Sequence, residues 1–307
     1  MRRPEGVDTG NNHSLGWWTK RLDVAMRDKY SDLNSELESL SQIIQYLPNL
    51  NILIFRVPIS KYLYISLPDA FLHHLSRSAG PNLEAIVWYT EALTPHAYQW
   101  YDFLGSVPNI RTLSSVDSSR FPGISPPALP ALRTLDVSRY YFTYFPNSTT
   151  SIPSLRHLII ICSLSRKIFL NHGQQLEVVQ VHVTEKGRVS HVLNTISQLC
   201  PKVHRLDISI PTWGELNLSH SGLSLPTTIR TFGIYCTELQ ASRTEYQKLF
   251  GALRNMKCGP TFKVIQLLHA NNVTDLRLRH RQLLATNVPK LNELGFEVQD
   301  HEGQLLY

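Results

Sequence analysis

One short phrase, P-x-Φ-x-x-Φ-x-Φ with Φ apolar, recurs along the chain and limits the folds open to it more than any other feature. It occurs as LPNLNILIF from Leu47, GPNLEAIVW from Gly80, VPNIRTLSS from Val107, LPALRTLDV from Leu129 and IPSLRHLII from Ile152. Five further copies follow: GQQLEVVQV from Gly173, CPKVHRLDI from Cys200, PTTIRTFGI from Pro226, GPTFKVIQL from Gly259 and VPKLNELGF from Val288. Their first apolar residues are Leu50, Leu83, Ile110, Leu132, Leu155, Leu176, Val203, Ile229, Phe262 and Leu291, spaced 21 to 33 residues apart. Numbered from that residue, positions four and six of each copy enter the core of a short strand, while positions three, five and seven face the other way. Proline suits the entrance of such a strand because it has no amide donor for the ladder.

Stacked copies of similar length pair each strand in parallel with the next. The period and the L-x-x-L-x-L core resemble a leucine-rich repeat. The expected fold class is α/β: an irregular leucine-rich-repeat solenoid, with parallel strands on the concave face and helices and loops on the convex face. The longer connectors carry helical spacing. SELESLSQIIQYL after Asn34 puts Leu37, Leu40, Ile43, Ile44 and Leu47 on one face, and PDAFLHHL, HAYQWYDFLGSV, RVSHVLNTISQL and TEYQKLFGALRNM read the same way. Intervals of 21 to 23 residues leave no room for a full helix; the connectors SSRFPGISPPALP and SRYYFTYFPNSTTSIP read as extended or turn-like.

WWTKRLDVAMRD, ahead of the first copy, reads as an opening strand with Leu22 and Val24 toward the core. NVTDLRLRHRQLL lies too close to its neighbouring copies for another turn and reads as a helix from about Asn272. The usual leucine-rich repeat carries Asn or Cys at position nine. No copy here has asparagine there, which excludes a regular asparagine ladder. The expected organisation is a flexible segment over 1–16 and a single solenoid domain over 17–307, with an N-terminal cap at 17–46.

Composition narrows the setting. Thirty basic against 24 acidic residues leave a formal charge of +6, too mild to name a partner. The four cysteines, Cys162, Cys200, Cys236 and Cys258, form no C-x-x-C pair and read as reduced, mostly buried thiols. The N-terminus has basic residues but no apolar signal core, and no stretch is apolar for the length of a membrane span. The expected location is intracellular, cytoplasmic or nuclear, which discounts the glycosylation sequons at Asn12, Asn147, Asn217 and Asn272.

Thirteen histidines offer no H-E-x-x-H, and G-x-S-x-G, G-x-G-x-x-G and Walker phrases are absent, so neither enzyme activity, a metal nor a cofactor is expected. Repeat proteins bind along the concave face, whose outward positions supply the candidate partner-binding residues: Ile52, Ile54, Arg56, Val87, Tyr89, Asp136, His157, Arg205, Asp207 and Tyr235. Ile52, Ile54, Val87 and Tyr89 would form an exposed apolar patch unless the N-terminal cap covers them. Nucleic acid is disfavoured, because the face lacks a stripe of lysine and arginine. The densest basic cluster, Arg277, Arg279, His280 and Arg281, is the alternative footprint, although Asp275 and helical spacing suit a solvated face.

LPNL-type entries, the leading WWTKRLDVAMRD, IIQYLPNLNIL and GFEVQDHEG resemble the substrate-binding halves of mushroom-type fungal F-box proteins. The resemblance implies a target-recognition part of a ubiquitin ligase receptor, which docks onto a Skp-type adaptor through a helical F-box. That F-box should precede residue 17, where only sixteen polar or small residues stand. LPDAFLHHL from Leu67 resembles an F-box opening but sits between two copies, where an ordinary convex helix explains it. Adaptor binding is thus expected only of a longer form. The expected function is non-catalytic protein binding on the concave face, with a leucine-rich-repeat scaffold unrelated to ubiquitin as the alternative.

Overall fold

A computed structural model describes residues 15–25, 33–56, 65–88, 93–95, 97–114, 127–137, 151–162, 165–185, 187–217, 222–238 and 240–307. The chain divides into two compact units, Met1–Val116 with Gly123–Ala131 and Asp117–Pro122 with Leu132–Tyr307. The segment expected to be flexible, up to Ser14, and most of the two Ser- and Pro-rich connectors lie outside the described residues.

In the first unit a 3-10 turn, Leu15–Trp18, leads into β1 (Arg21–Ala25), α1 (Leu33–Ile44), β2 (Ile52–Arg56), β3 (Ile65–Ser66), α2 (Asp69–Ala79), β4 (Ala85–Trp88), β5 (Leu93–Thr94), α3 (Ala97–Gly105) and β6 (Thr112–Ser114). Strands β1, β2, β4 and β6 pair in parallel in that order, and β3 pairs with β5. The opening strand is where the sequence places it, with Leu22 beside Leu53 and Val24 beside Phe55. Leu50, Leu53, Phe55, Leu83, Ile86, Trp88 and Ile110 are fully buried. Phe55 packs on Trp88 at 4.4 Å between centroids and edge-on against Phe71 at 5.5 Å, which seats α2 on the sheet. Ile43, expected on the buried face of α1, is 53% exposed.

The second unit holds β7 (Thr134–Val137), β8 (His157–Ile161), α4 (Ser165–His172), β9 (Val178–His182), α5 (Val189–Leu199), β10 (Arg205–Ile210), β11 (Thr231–Cys236), α6 (Arg243–Arg254), β12 (Val264–Leu267), α7 (Ala270–Arg279), α8 (Arg281–Glu293) and β13 (Glu297–Gln299). These seven strands, among the described residues, pair in parallel in chain order. Leu135, Leu158, Val179, Leu206, Phe232, Ile265 and Val298 line its interior at 3% exposure or less. The architecture is α/β, with helices between the parallel strands of a repeated unit.

Three local readings are corrected. First, the 21-residue interval after Leu155 does accommodate a helix: α4 fits eight residues because Ile168 and Phe169 reach the core within two turns. Second, NVTDLRLRHRQLL is helical as expected but starts at Ala270 and continues as two helices. Third, the tenth copy is not a strand. Leu291 lies in α8, where Leu283, Leu284, Val288 and Leu291 are buried at helical spacing with Pro289 inside the helix. Gly295, at φ +87°, ends that helix: its N–H donates to Asn292 O at 2.8 Å, and Phe296 N–H donates to Leu291 O at 3.1 Å. The last strand therefore starts at Glu297, paired with Val264, rather than at Glu293.

An asparagine ladder does exist, one residue before the first apolar position rather than at position nine. Asn49 Nδ2 donates to Trp17 O at 2.8 Å, Asn82 Nδ2 to Pro48 O at 2.9 Å and Asn109 Nδ2 to Pro81 O at 2.7 Å. Each amide thus satisfies a carbonyl one turn back, two of them the carbonyls of the entry prolines Pro48 and Pro81. In the second unit Thr261 Oγ1 donates in the same way to Thr227 O, at 3.4 Å.

Candidate binding face

Register aligns the outward residues of the second unit in rows. The row nearest the strand entrances runs Thr134, His157, Val178, Arg205, Thr231 and Val264, and the middle row runs Asp136, Ile159, Gln180, Asp207, Gly233 and Gln266. A third row holds Ile161, His182, Ser209 and Tyr235.

Side chains in the middle of this face are tied to one another. Arg205 Nε donates to Asp207 Oδ2 at 3.1 Å, and Arg205 Nη2 reaches across β11 to donate to Gln266 Oε1 at 2.9 Å. The crossing is open because Gly233 separates Asp207 from Gln266; a Cβ there would overlap Asp207 Oδ1. Gln266 Nε2 in turn donates to Asp300 O at 3.1 Å. In the third row Tyr235 Oη lies 3.0 Å from His182 Nδ1, across β10, and His182 Nε2 lies 3.2 Å from Gln180 Nε2. The glutamine amide nitrogen only donates, so His182 Nε2 is the acceptor and Nδ1–H donates to the tyrosine oxygen. The Tyr235 ring also stacks on His269, at 6.1 Å and 27°.

Burial dominates the electrostatics of this cluster. It pushes the Asp207 carboxyl above its ordinary range, against the opposing pull of the Arg205 guanidinium. It pushes His157 below its ordinary value, although the Asp207 and Asp136 carboxylates act in the other direction. The Tyr235 phenol is raised, again chiefly by burial. The Gly233 amide faces Asp207 Oδ1 without closing a hydrogen bond, and His157 Nε2 is buried with no hydrogen-bond partner among the described residues. A carboxylate that is less acidic in the fold than in water costs the fold stability once ionised. Because the native state holds that proton more tightly, the contribution of Asp207 is greatest below the ordinary carboxylate range and declines as pH rises through its raised value. Asp207→Asn is therefore expected to flatten this decline and to leave the melting temperature at neutral pH unchanged or higher, as thermal melts across about pH 4 to 7 would record. A clear loss of stability at neutral pH would instead make the Arg205 ion pair a net stabiliser.

Of the residues singled out from the sequence, the fold brings Asp136, His157, Arg205, Asp207 and Tyr235 onto this one face. Ile52, Ile54, Arg56 and Val87 lie in the first unit, and Tyr89 lies outside the described residues. Ile54, expected to stand exposed unless the N-terminal cap covers it, is only 8% exposed: Asp23, in the opening strand of that cap, flanks it on one side and Val87 on the other. Ile52 and Val87 are half-buried and Arg56 is exposed. Gln180, His182, Gly233 and Gln266 complete the bonded face but were not singled out. A glycine inside a strand was the available signal, since it marks a close approach; nothing in the sequence pairs Arg205 with Gln266.

The basic cluster near residue 280 is largely neutralised. Arg277 pairs with Asp300 and Arg279 with Asp275, each at 3.1 Å and each with a buried carboxylate. All four cysteines are free; burial raises the Cys200 thiol to about 12 and the Cys236 thiol to about 11, so both stay protonated at neutral pH. Among the described residues, no helix is long and apolar enough to cross a membrane, and no three His, Cys, Asp or Glu side chains are grouped to hold a metal ion. The protein is thus defined by architecture, as a repeat-built α/β chain with a bonded polar face. No protein-family model matches the chain, and no curated protein matches it.

Proposed function

We propose that the chain is an irregular leucine-rich-repeat solenoid acting inside the cell as a non-catalytic protein-binding module, with its partner on the polar face of the second unit. The observation that carries this reading is the mutual bonding of Arg205, Asp207 and Gln266. Side chains already held in place lose little freedom when a partner arrives, and arginine and tyrosine are the residue types that most often dominate such contacts. The same bonds commit these groups to each other rather than to a reacting atom. The resemblance to mushroom-type F-box proteins makes target recognition for a ubiquitin ligase the specific form of the proposal.

The test is affinity capture from the native organism with the wild-type protein, Tyr235→Ala and Arg205→Ala, each variant first checked for an unchanged melting temperature. A protein held by the wild type and reduced roughly tenfold or more by both variants is the expected result. Recovery of a Skp-type adaptor alongside it would support the ubiquitin form, whereas a partner without any adaptor would leave a scaffold. Identical capture by all three proteins would remove the face from the function.

A further inference from the structure

The strand entrances of the second unit form a second surface, distinct from the polar face. Position two of each copy joins the backbone ladder there: His204 N–H donates to Glu177 O at 3.0 Å, Arg230 to His204 O at 2.8 Å and Lys263 to Arg230 O at 3.0 Å. Successive side chains in this row therefore stand about 4.8 Å apart, one strand spacing. His204, Arg230, Lys263 and the adjacent Lys202 are all exposed. Like charges at such spacing repel. Where the same row carries an acid, the fold forms a pair: Arg156 Nε to Glu177 Oε1 at 3.3 Å and, in the first unit, Arg111 Nη1 to Glu84 Oε2 at 3.6 Å. Lys202, Arg230 and Lys263 make no ion pair among the described residues.

We infer that this rim docks an acidic, extended peptide segment of the partner protein. The inference rests on the reading of the chain as a protein-binding module but uses a different edge of it. Arg230 and Lys263 stand about 5 Å apart and Lys202 widens the cluster to about 10 Å, so two acidic side chains two residues apart on an extended chain, about 7 Å from one another, each fall beside a cation. Successive bases need a run of free ring faces, whereas this row offers one exposed ring, His204, and Phe296, beside Lys263, is half-buried and packs edge-on against Phe262 at 5.1 Å. That favours a peptide over a single-stranded nucleic acid.

The probe is a fluorescein-labelled decaglutamate peptide titrated against the full chain. Saturable binding is expected, weakening roughly tenfold between about 50 and 200 mM salt. The triple variant Lys202→Glu, Arg230→Glu, Lys263→Glu should abolish it, the milder pair Arg230→Gln, Lys263→Gln should weaken it, and Tyr235→Ala should leave it unchanged. Absence of binding at low salt, or equal binding by the charge variants, overturns the inference. So does tighter binding of a ten-nucleotide DNA strand through the same residues, which would assign the rim to nucleic acid. If the peptide binds but the capture experiment fails, the polar-face reading falls alone; if capture succeeds and the peptide does not bind, only the rim does.

Discussion

Gly233→Ala is expected to lower the stability of the second unit by about 2–3 kcal/mol, as an added methylene does in a packed interior. The conformation there is ordinary extended strand, so the effect is steric. The new Cβ would overlap Asp207 Oδ1 and come within 2.8 Å of Leu268 Cδ1. Asp207 is not free to swing aside, because its other oxygen accepts from Arg205 Nε and its side chain is 10% exposed. Urea denaturation of the single variant measures the loss. The double variant Gly233→Ala, Asp207→Ala should recover part of it, a coupling that distant sites do not show. A single variant within about 0.5 kcal/mol of wild type would mean that the carboxylate moves away at little cost.

The second large effect concerns Asn272, one of the four sequons. Its Oδ1 accepts from Cys236 N–H at 3.0 Å and its Nδ2 donates to Glu238 O at 3.4 Å, while the residue is 1% exposed. Asn272→Ala leaves a buried amide donor without a partner and opens a small void, at a cost of about 2–3 kcal/mol. Asn272→Asp keeps an acceptor toward Cys236 but turns an oxygen toward the Glu238 carbonyl, and is expected to recover little. The measurement is again denaturant unfolding, and an alanine variant as stable as wild type would show that water replaces the amide. Because the side chain is enclosed, a glycan cannot be attached there once the chain has folded.

Periodicity made the strands readable wherever core and outward positions alternated cleanly, as in LPALRTLDV and IPSLRHLII, whose buried and half-buried residues alternate as expected. It failed at VPKLNELGF, where the same letters satisfy a helix: Val288 and Leu291 are three apart, and only the left-handed Gly295 separates the two readings. The asparagine ladder is written in LPNL, GPNL and VPNI, one residue before the first apolar position, where the usual leucine-rich repeat carries none. At the candidate face, composition and register were legible while bonding was not. Arg205 and Gln266 are 61 residues apart, and their meeting depends on an absent side chain between them. For Ile54 the sequence left exposure and cover by the N-terminal cap both open, and the flanking strands β1 and β4 decide for burial.

In a stack of repeats each turn ordinarily leans only on the next, so one coil can fray while those beyond it stay intact. The links from Arg205 to Gln266 and from Tyr235 to His182 each step over an intervening strand. They act as clamps between second neighbours, so amide exchange across β9 to β12 should proceed as one cooperative opening rather than as separate losses. A ligand that seizes His182 at one end of that block would then be felt as slower exchange at Gln266 at the other.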